Sequence, residues 1–85
     1  MHIAYTRAFF KRLNKYERDF QETVSEKIEE FRHPENHGRL KVHKLHGKFS
    51  NCFSFSVNYR TRIVFEYLSK DEIVLLAIGD HEIYD

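Results

Sequence analysis

Phe53-Ser54-Phe55-Ser56-Val57-Asn58-Tyr59-Arg60-Thr61-Arg62-Ile63-Val64-Phe65-Glu66-Tyr67 reads as two half-buried strands around a short polar turn. Phe53, Phe55 and Val57 alternate with Ser54 and Ser56, and Ile63, Phe65 and Tyr67 alternate with Arg62, Val64 and Glu66. A period of two is the signature of a sheet with one face on a core. Downstream, Ser69-Lys70-Asp71-Glu72 is a hairpin turn, and Ile73–Ile78 is a continuous apolar run suited to a central strand, broken at Gly79. Upstream, Leu40, Val42 and Leu45 mark a further strand ending at Gly47. These four strands form an antiparallel meander.

The period changes before Gly38. The only proline sits in His33-Pro34-Glu35-Asn36-His37-Gly38, the one clear break in the chain. Ahead of it, Ile3 and Tyr5 suggest a short strand, and Thr6 is placed to cap a helix from Arg7 onward. Phe9, Phe10, Leu13 and Tyr16 recur at helical spacing, and a second helix is predicted over 17–32. Its apolar stripe is Phe20, Val24, Ile28 and Phe31, with Glu22, Glu26, Lys27, Glu29 and Glu30 turned to water. The expected order is β-α-α-β-β-β-β, an α+β fold with a helical hairpin on one face of a mainly antiparallel sheet. At 85 residues the chain is expected to be one domain, 1–85.

Composition narrows the function. No apolar run is long enough to span a membrane or serve as a signal peptide, and 32% charged residues describe a soluble chain. The single cysteine, Cys52, forms no internal disulfide and fits a reducing, cytoplasmic setting. Aromatic residues at 15% argue against disorder. The net charge of +1 conceals an uneven distribution. Residues 1–37 are neutral, residues 38–65 carry six Lys/Arg and no acid, and residues 66–85 carry −5. The acid-free middle suggests an anionic partner such as RNA; the competing reading is a basic strand face paired with the acidic tail.

Strand parity points to a site. With Phe53, Phe55 and Val57 inward, Ser54 and Ser56 face an open outer surface, and Arg62 lies near them. The last strand delivers Asp80-His81-Glu82-Ile83-Tyr84 just past its end, and His43 and His46 lie on or after the first strand of the meander. A histidine moves protons near neutral pH, an arginine grips phosphate oxygens, and an aromatic ring stacks on a base. Together these residue types support phosphodiester chemistry without a metal. Other motifs carry less. His33 and His37 have metal-like spacing, but Pro34 breaks a helix between them and no third ligand is evident. Cys52 has no basic neighbour to activate it. With three glycines there is no phosphate-cradling loop, and no small-molecule cofactor is expected.

At these residues the chain resembles the bacterial RelE/ParE superfamily of type II toxin–antitoxin toxins, and within it the RelE and YafQ-like mRNA interferases. The matching pieces are Lys41-Val42-His43-Lys44-Leu45-His46-Gly47, Phe53-Ser54-Phe55-Ser56-Val57, the run from Tyr59 to Tyr67, and Ile78-Gly79-Asp80-His81-Glu82-Ile83-Tyr84. The resemblance implies a toxin that enters the ribosomal A site and cleaves mRNA by attack of the 2′-OH on the adjacent phosphate. A cognate antitoxin would neutralise it. It implies catalytic roles for His81, Arg62 (with Arg60), His43 and Tyr84. His81 would be the general acid or base, Arg62 the transition-state stabiliser, His43 the second proton-transfer group, and Tyr84 the ring on the nucleotide. Lys41, Lys44, His46, Lys48, Ser54 and Ser56 would line the RNA path.

Where RelE carries catalytic lysines on the strand after the glycine, this chain has Ser54 and Ser56; where the YafQ-like branch has a second histidine and an aspartate, it has Ser56 and Arg60. Two other readings stay open: a ParE-like toxin that binds DNA gyrase without cleaving RNA, and a non-toxic member that binds an antitoxin. Residue by residue, plainer roles compete. Arg62 pairs with Glu66 or Glu82, Tyr84 caps the core, His43 is an ordinary half-buried strand histidine and His81 a solvent-exposed one.

Overall fold

The computed structural model describes residues 1–80. Strand β1 (His2–Tyr5) leads into helix α1 (Arg7–Leu13) and helix α2 (Arg18–Phe31). Strands β2 (His43–Lys44), β3 (Phe53–Ser56), β4 (Arg62–Ser69) and β5 (Glu72–Gly79) follow, with short 3-10 turns at Pro34–Asn36 and Gly47–Phe49. The sheet order is β1-β5-β4-β3-β2. β1 runs parallel to β5 and the other pairs are antiparallel. The architecture is therefore α+β in the expected element order, with Ile73–Ile78 inside the sheet between β1 and β4.

Local chemistry sets the helices. The Thr6 hydroxyl accepts the Phe9 N–H at 3.0 Å and donates to the Leu76 carbonyl at 3.3 Å, so one side chain caps α1 and ties it to β5. Phe9, Val24 and Phe31 bring the helices onto Phe55, Ile63, Phe65, Ile73, Leu75 and Ile78 of the sheet. Phe31 is the hub. Its ring stacks on Phe55 at 4.2 Å and 8°, takes Phe65 edge-on at 4.7 Å, and is covered by the His37 ring at 4.7 Å. His37 Nε2 also lies 2.8 Å from the Phe31 carbonyl, so this histidine packs the core.

A bulge explains the unbroken apolar run. Val64 pairs with Ala77 but Phe65 pairs with Leu75, so Leu76 is the extra residue. The shift lets Ile73, Leu75 and Ile78 all face the helices, which simple alternation forbids.

The strand expected from Leu40 to Gly47 is reduced to His43–Lys44. The Pro34–Asn36 turn winds on instead. Lys41 N–H bonds the Gly38 carbonyl at 3.1 Å and Val42 N–H bonds the His37 carbonyl at 3.0 Å. Lys41 sits between them at φ 59°. That paired pattern is a Schellman motif, with lysine in the left-handed position glycine usually takes. It holds Leu40 and Lys41 out of ladder geometry, although the Leu40 carbonyl still accepts the Ser56 N–H at 2.9 Å. No helix among the described residues is long and apolar enough to cross a membrane.

Candidate nucleic-acid interface

The β3–β4 turn is built around Asn58. Its side-chain oxygen accepts the N–H groups of Arg60 at 2.9 Å and Thr61 at 2.8 Å, and Val57 N–H bonds the Thr61 carbonyl at 2.9 Å. Asparagine closes such turns because its short amide reaches its own backbone. The turn presents its carbonyls to Arg62, whose Nη1 donates to Asn58 O at 2.9 Å and Tyr59 O at 3.1 Å. Arg62 pairs with no carboxylate among the described residues, Glu66 included. A guanidinium has five N–H donors. Pinned through Nη1, Arg62 has Nε and Nη2 unbonded among the described residues.

Around Arg62 lies an open pocket of about 360 Å³ lined by Lys27, Arg39, Lys41, Ser56, Tyr59 and other residues of the turn. Among the described residues four cations and no acid line it. Glu30 stands behind, 3.2 Å from Lys27 Nζ and in an ion pair with Arg39. Hydrogen bonds from Arg39 and Lys27 hold its carboxyl below the usual carboxylate range. The basic stretch is thus tied to α2 through Arg39. Lys41, Arg62, Lys44, Lys48 and Arg60 make no ion pair among the described residues. The pocket is strongly cationic, a fit for phosphate.

His43 shares the outer face of the sheet with Arg62. It pairs with Ser54 in β3, and Arg62 pairs with Ser56 two residues further along. Ordinary strand spacing and rise put their Cα atoms roughly 12 Å apart. His43 Nδ1 lies 2.9 Å from the Lys41 carbonyl, which only accepts, so Nδ1 carries the proton in the neutral ring. That leaves Nε2 with its lone pair, facing the Ser54 hydroxyl at 3.4 Å. In the neutral ring Nε2 is thus the acceptor in its contact with the Ser54 hydroxyl, and the rest of the ring is exposed.

The structure redraws other parts of the predicted site. Ser54 and Val64 are 0% and 4% exposed, so the outer face is closed at its centre and open only toward Ser56 and Arg62. Ser54 supports His43 and is out of reach of an RNA strand. Leu45 and Val64 are buried outside the helix-facing core, and this second packing closes the face. Arg60 lies apart from Arg62, on a pocket with Arg12, Tyr16, Phe20 and Asp80. Lys44 pairs with Phe53 and so belongs to the opposite side from His43. Lys48 sits over the Phe49 ring at 5.5 Å, and His46 is exposed beside it. Burial and the nearby Glu66 carboxylate push the Cys52 thiol pKa up, which agrees with an inert cysteine. His81 and Tyr84 lie outside the described residues; β5 ends at Gly79, directly opposite Arg62. No cluster of metal-ligating side chains occurs among the described residues.

Lys27, Arg39 and Tyr59 are the pocket residues sequence reasoning missed. Tyr59 had a signal: an aromatic in a polar turn has no core to enter. Lys27 had none, because it sits on the water-facing side of a helix remote in sequence.

No family model and no curated protein sequence matches the chain. Solved structures do. A YoeB–YefM toxin–antitoxin complex from Staphylococcus aureus superposes with a TM-score of 0.70 at 17% identity, over 95% of this chain and 97% of that one. An archaeal RelE–RelB complex from Pyrococcus horikoshii gives 0.72 at 16% identity, over 93% and 92%. A mutant of YafQ from E. coli gives 0.71 at 14% identity, over 95% and 93%. The fold is that of the RelE-type toxins.

On this RelE-like sheet the Arg62 pocket lies at the turn end, where Lys27 of α2 and the core residues Leu40 and Val57 meet Ser56 and Arg62, next to the end of β5. The helical hairpin covers the other face, where an apolar cavity of about 410 Å³ lies between β1, α1 and α2. That cavity includes Ile3, Phe9, Phe10 and Ile28, with Arg32 as its one cation among the described residues.

Proposed function

We propose that this chain is the toxin of a type II toxin–antitoxin pair and acts as a ribosome-dependent endoribonuclease on translated mRNA. One observation carries the reading. Arg62 is held by turn carbonyls with its remaining donors unspent, in a pocket of four cations on the same sheet face as His43. Cleavage by the RNA's own 2′-OH needs a group to take the hydroxyl proton, a group to protonate the departing 5′ oxygen, and cations on the phosphate oxygens.

Arg62, with Lys41 and Arg39 behind it, supplies the cations. Its fixed fork stabilises the charge that grows on the phosphate as the 2′ oxygen attacks. His43 and His81 divide the two proton transfers, and Tyr84 orients the nucleotide. No step requires a metal. The products are a 2′,3′-cyclic phosphate or 3′-phosphate end and a free 5′-OH. The structural relatives that are complexes with RelB and YefM support an antitoxin as partner. The toxin would act in the cytoplasm, where ribosomes present the message.

Primer extension on an mRNA under translation in vitro tests this. New ends within codons are expected with the wild-type protein and are expected to vanish with Arg62→Ala. Intact mRNA with folded wild-type protein would overturn the nuclease reading, and a supercoiling assay would then test gyrase as target.

A further inference from the structure

Tyr59 is 90% exposed, more than any other large hydrophobic side chain among the described residues. The other exposed rings have partners: Tyr5 stacks on Phe10 at 5.7 Å, and Tyr67 meets Phe53 and Phe65 edge-on. Tyr59 makes no ring contact among the described residues. A tyrosine held in water gains nothing for the fold, because its apolar surface stays hydrated. Its backbone, by contrast, is tightly determined. Asn58 closes the turn around it, and the Tyr59 carbonyl accepts Arg62 Nη1 at 3.1 Å. The residue that helps aim the guanidinium therefore also sets where this ring stands. Tyr59 and Arg62 line the same cationic pocket.

We infer that Tyr59 is a nucleobase platform: the base of the nucleotide whose phosphate meets Arg62 stacks on its ring. The inference rests on the reading that this face binds RNA. A turn with a fixed backbone leaves only the ring's own rotamers to be ordered at binding, and stacking tolerates any base. The ring's place beside four cations favours a strand whose phosphates and bases alternate. An apolar peptide would leave Lys41 and Arg62 without an anion, since Glu30 pairs only with Lys27 and Arg39. Tyr59 would then set affinity and nucleotide register without taking part in proton transfer.

The test uses the full chain and a single-stranded RNA hexamer with 2′-O-methyl riboses, which 2′-OH attack cannot cleave, beside an abasic strand of the same backbone. Wild-type protein should prefer the base-bearing strand. Tyr59→Ala should erase that preference, a loss of roughly 5- to 150-fold for that strand, and leave abasic binding unchanged. Tyr59→Phe should behave as wild type, and Arg62→Ala should weaken both strands alike. Equal thermal midpoints would show that the exposed substitutions leave the fold intact. A base preference that survives Tyr59→Ala overturns the inference, as does wild-type protein that binds neither strand. So does a variant that loses only antitoxin binding. Intact mRNA in the translation assay beside a Tyr59-dependent base preference would sink the nuclease reading and leave the platform standing.

Discussion

The two faces of the sheet use the same strands for opposite ends. On the helix side, Phe31, Phe55, Phe65, Ile63 and Leu75 are fully buried, and ring contacts converge on Phe31. On the outer side the same strands carry Ser54, Ser56, Arg62 and Val64, closed at the centre and open at the turn end. The first face is held by burial of apolar area, which is additive and forgiving of exact position. The second depends on a few directional hydrogen bonds to backbone carbonyls, which hold Arg62 and His43 in single orientations. A domain of this size thus keeps most of its core on one side of the sheet and its directional polar contacts at the turn end of the other, so each can be perturbed alone.

That separation can be broken from the core first. Phe31→Ala removes the hub ring and is expected to cost about 3–5 kcal/mol, a large part of the total stability of a small domain. Urea unfolding should show the midpoint collapse, and cleavage should disappear with it.

Arg62→Lys sharpens the contrast from the other side. The charge stays but the fork is lost, so a lysine cannot bond the turn carbonyls and a phosphate together. Cleavage of translated mRNA should fall roughly 10²-fold while the urea midpoint holds. A variant as active as wild type would show that charge alone suffices.

Lys41→Gly probes the one place where the two demands collide. Glycine relieves the left-handed backbone at φ 59°, and a gain of about 0.5–1 kcal/mol is expected after its own entropy cost. The same change deletes a pocket cation, so the salt dependence of single-stranded RNA binding should lose about 0.7 from its log–log slope. A variant that is more stable and binds less steeply would confirm that the strain is kept for function.

The smallest effect is at Glu30. Its carboxyl pKa is depressed in the fold by Arg39 and Lys27, so its stabilising contribution is present above the unfolded pKa and lost as pH falls through the folded one. Glu30→Gln should melt slightly lower than wild type at neutral pH, with the gap closing below the ordinary carboxylate range. Melting curves across pH 2–7 check the sign; a gap that persists in acid would assign the effect to packing.

Much of this molecule was readable one residue after another. Alternation at Phe53–Val57 and Ile63–Tyr67, the stripe Phe20-Val24-Ile28-Phe31 and the cap at Thr6 are local patterns, and burial on one side writes them directly into the chain. Arg62 was found because strand parity places it on the outer face, and His43 through the resemblance of the piece from Lys41 to Gly47. Other features depend on which elements meet. The bulge at Leu76 depends on how β4 and β5 slide, and the fate of Leu40 and Lys41 on a backbone conformation lysine seldom adopts. The closure over Ser54 has no local signature, since a serine in a strand looks the same whether or not another segment packs above it. By itself the sequence determined the α+β order, the sidedness of the core and the basic, acid-free middle, because hydrophobic period and charge are properties of neighbours along the chain. Only the tertiary structure decided that Lys27 and Arg39 join Arg62 and Tyr59 in one pocket and that Arg60 stands apart. Those distances are set by packing between elements remote in sequence.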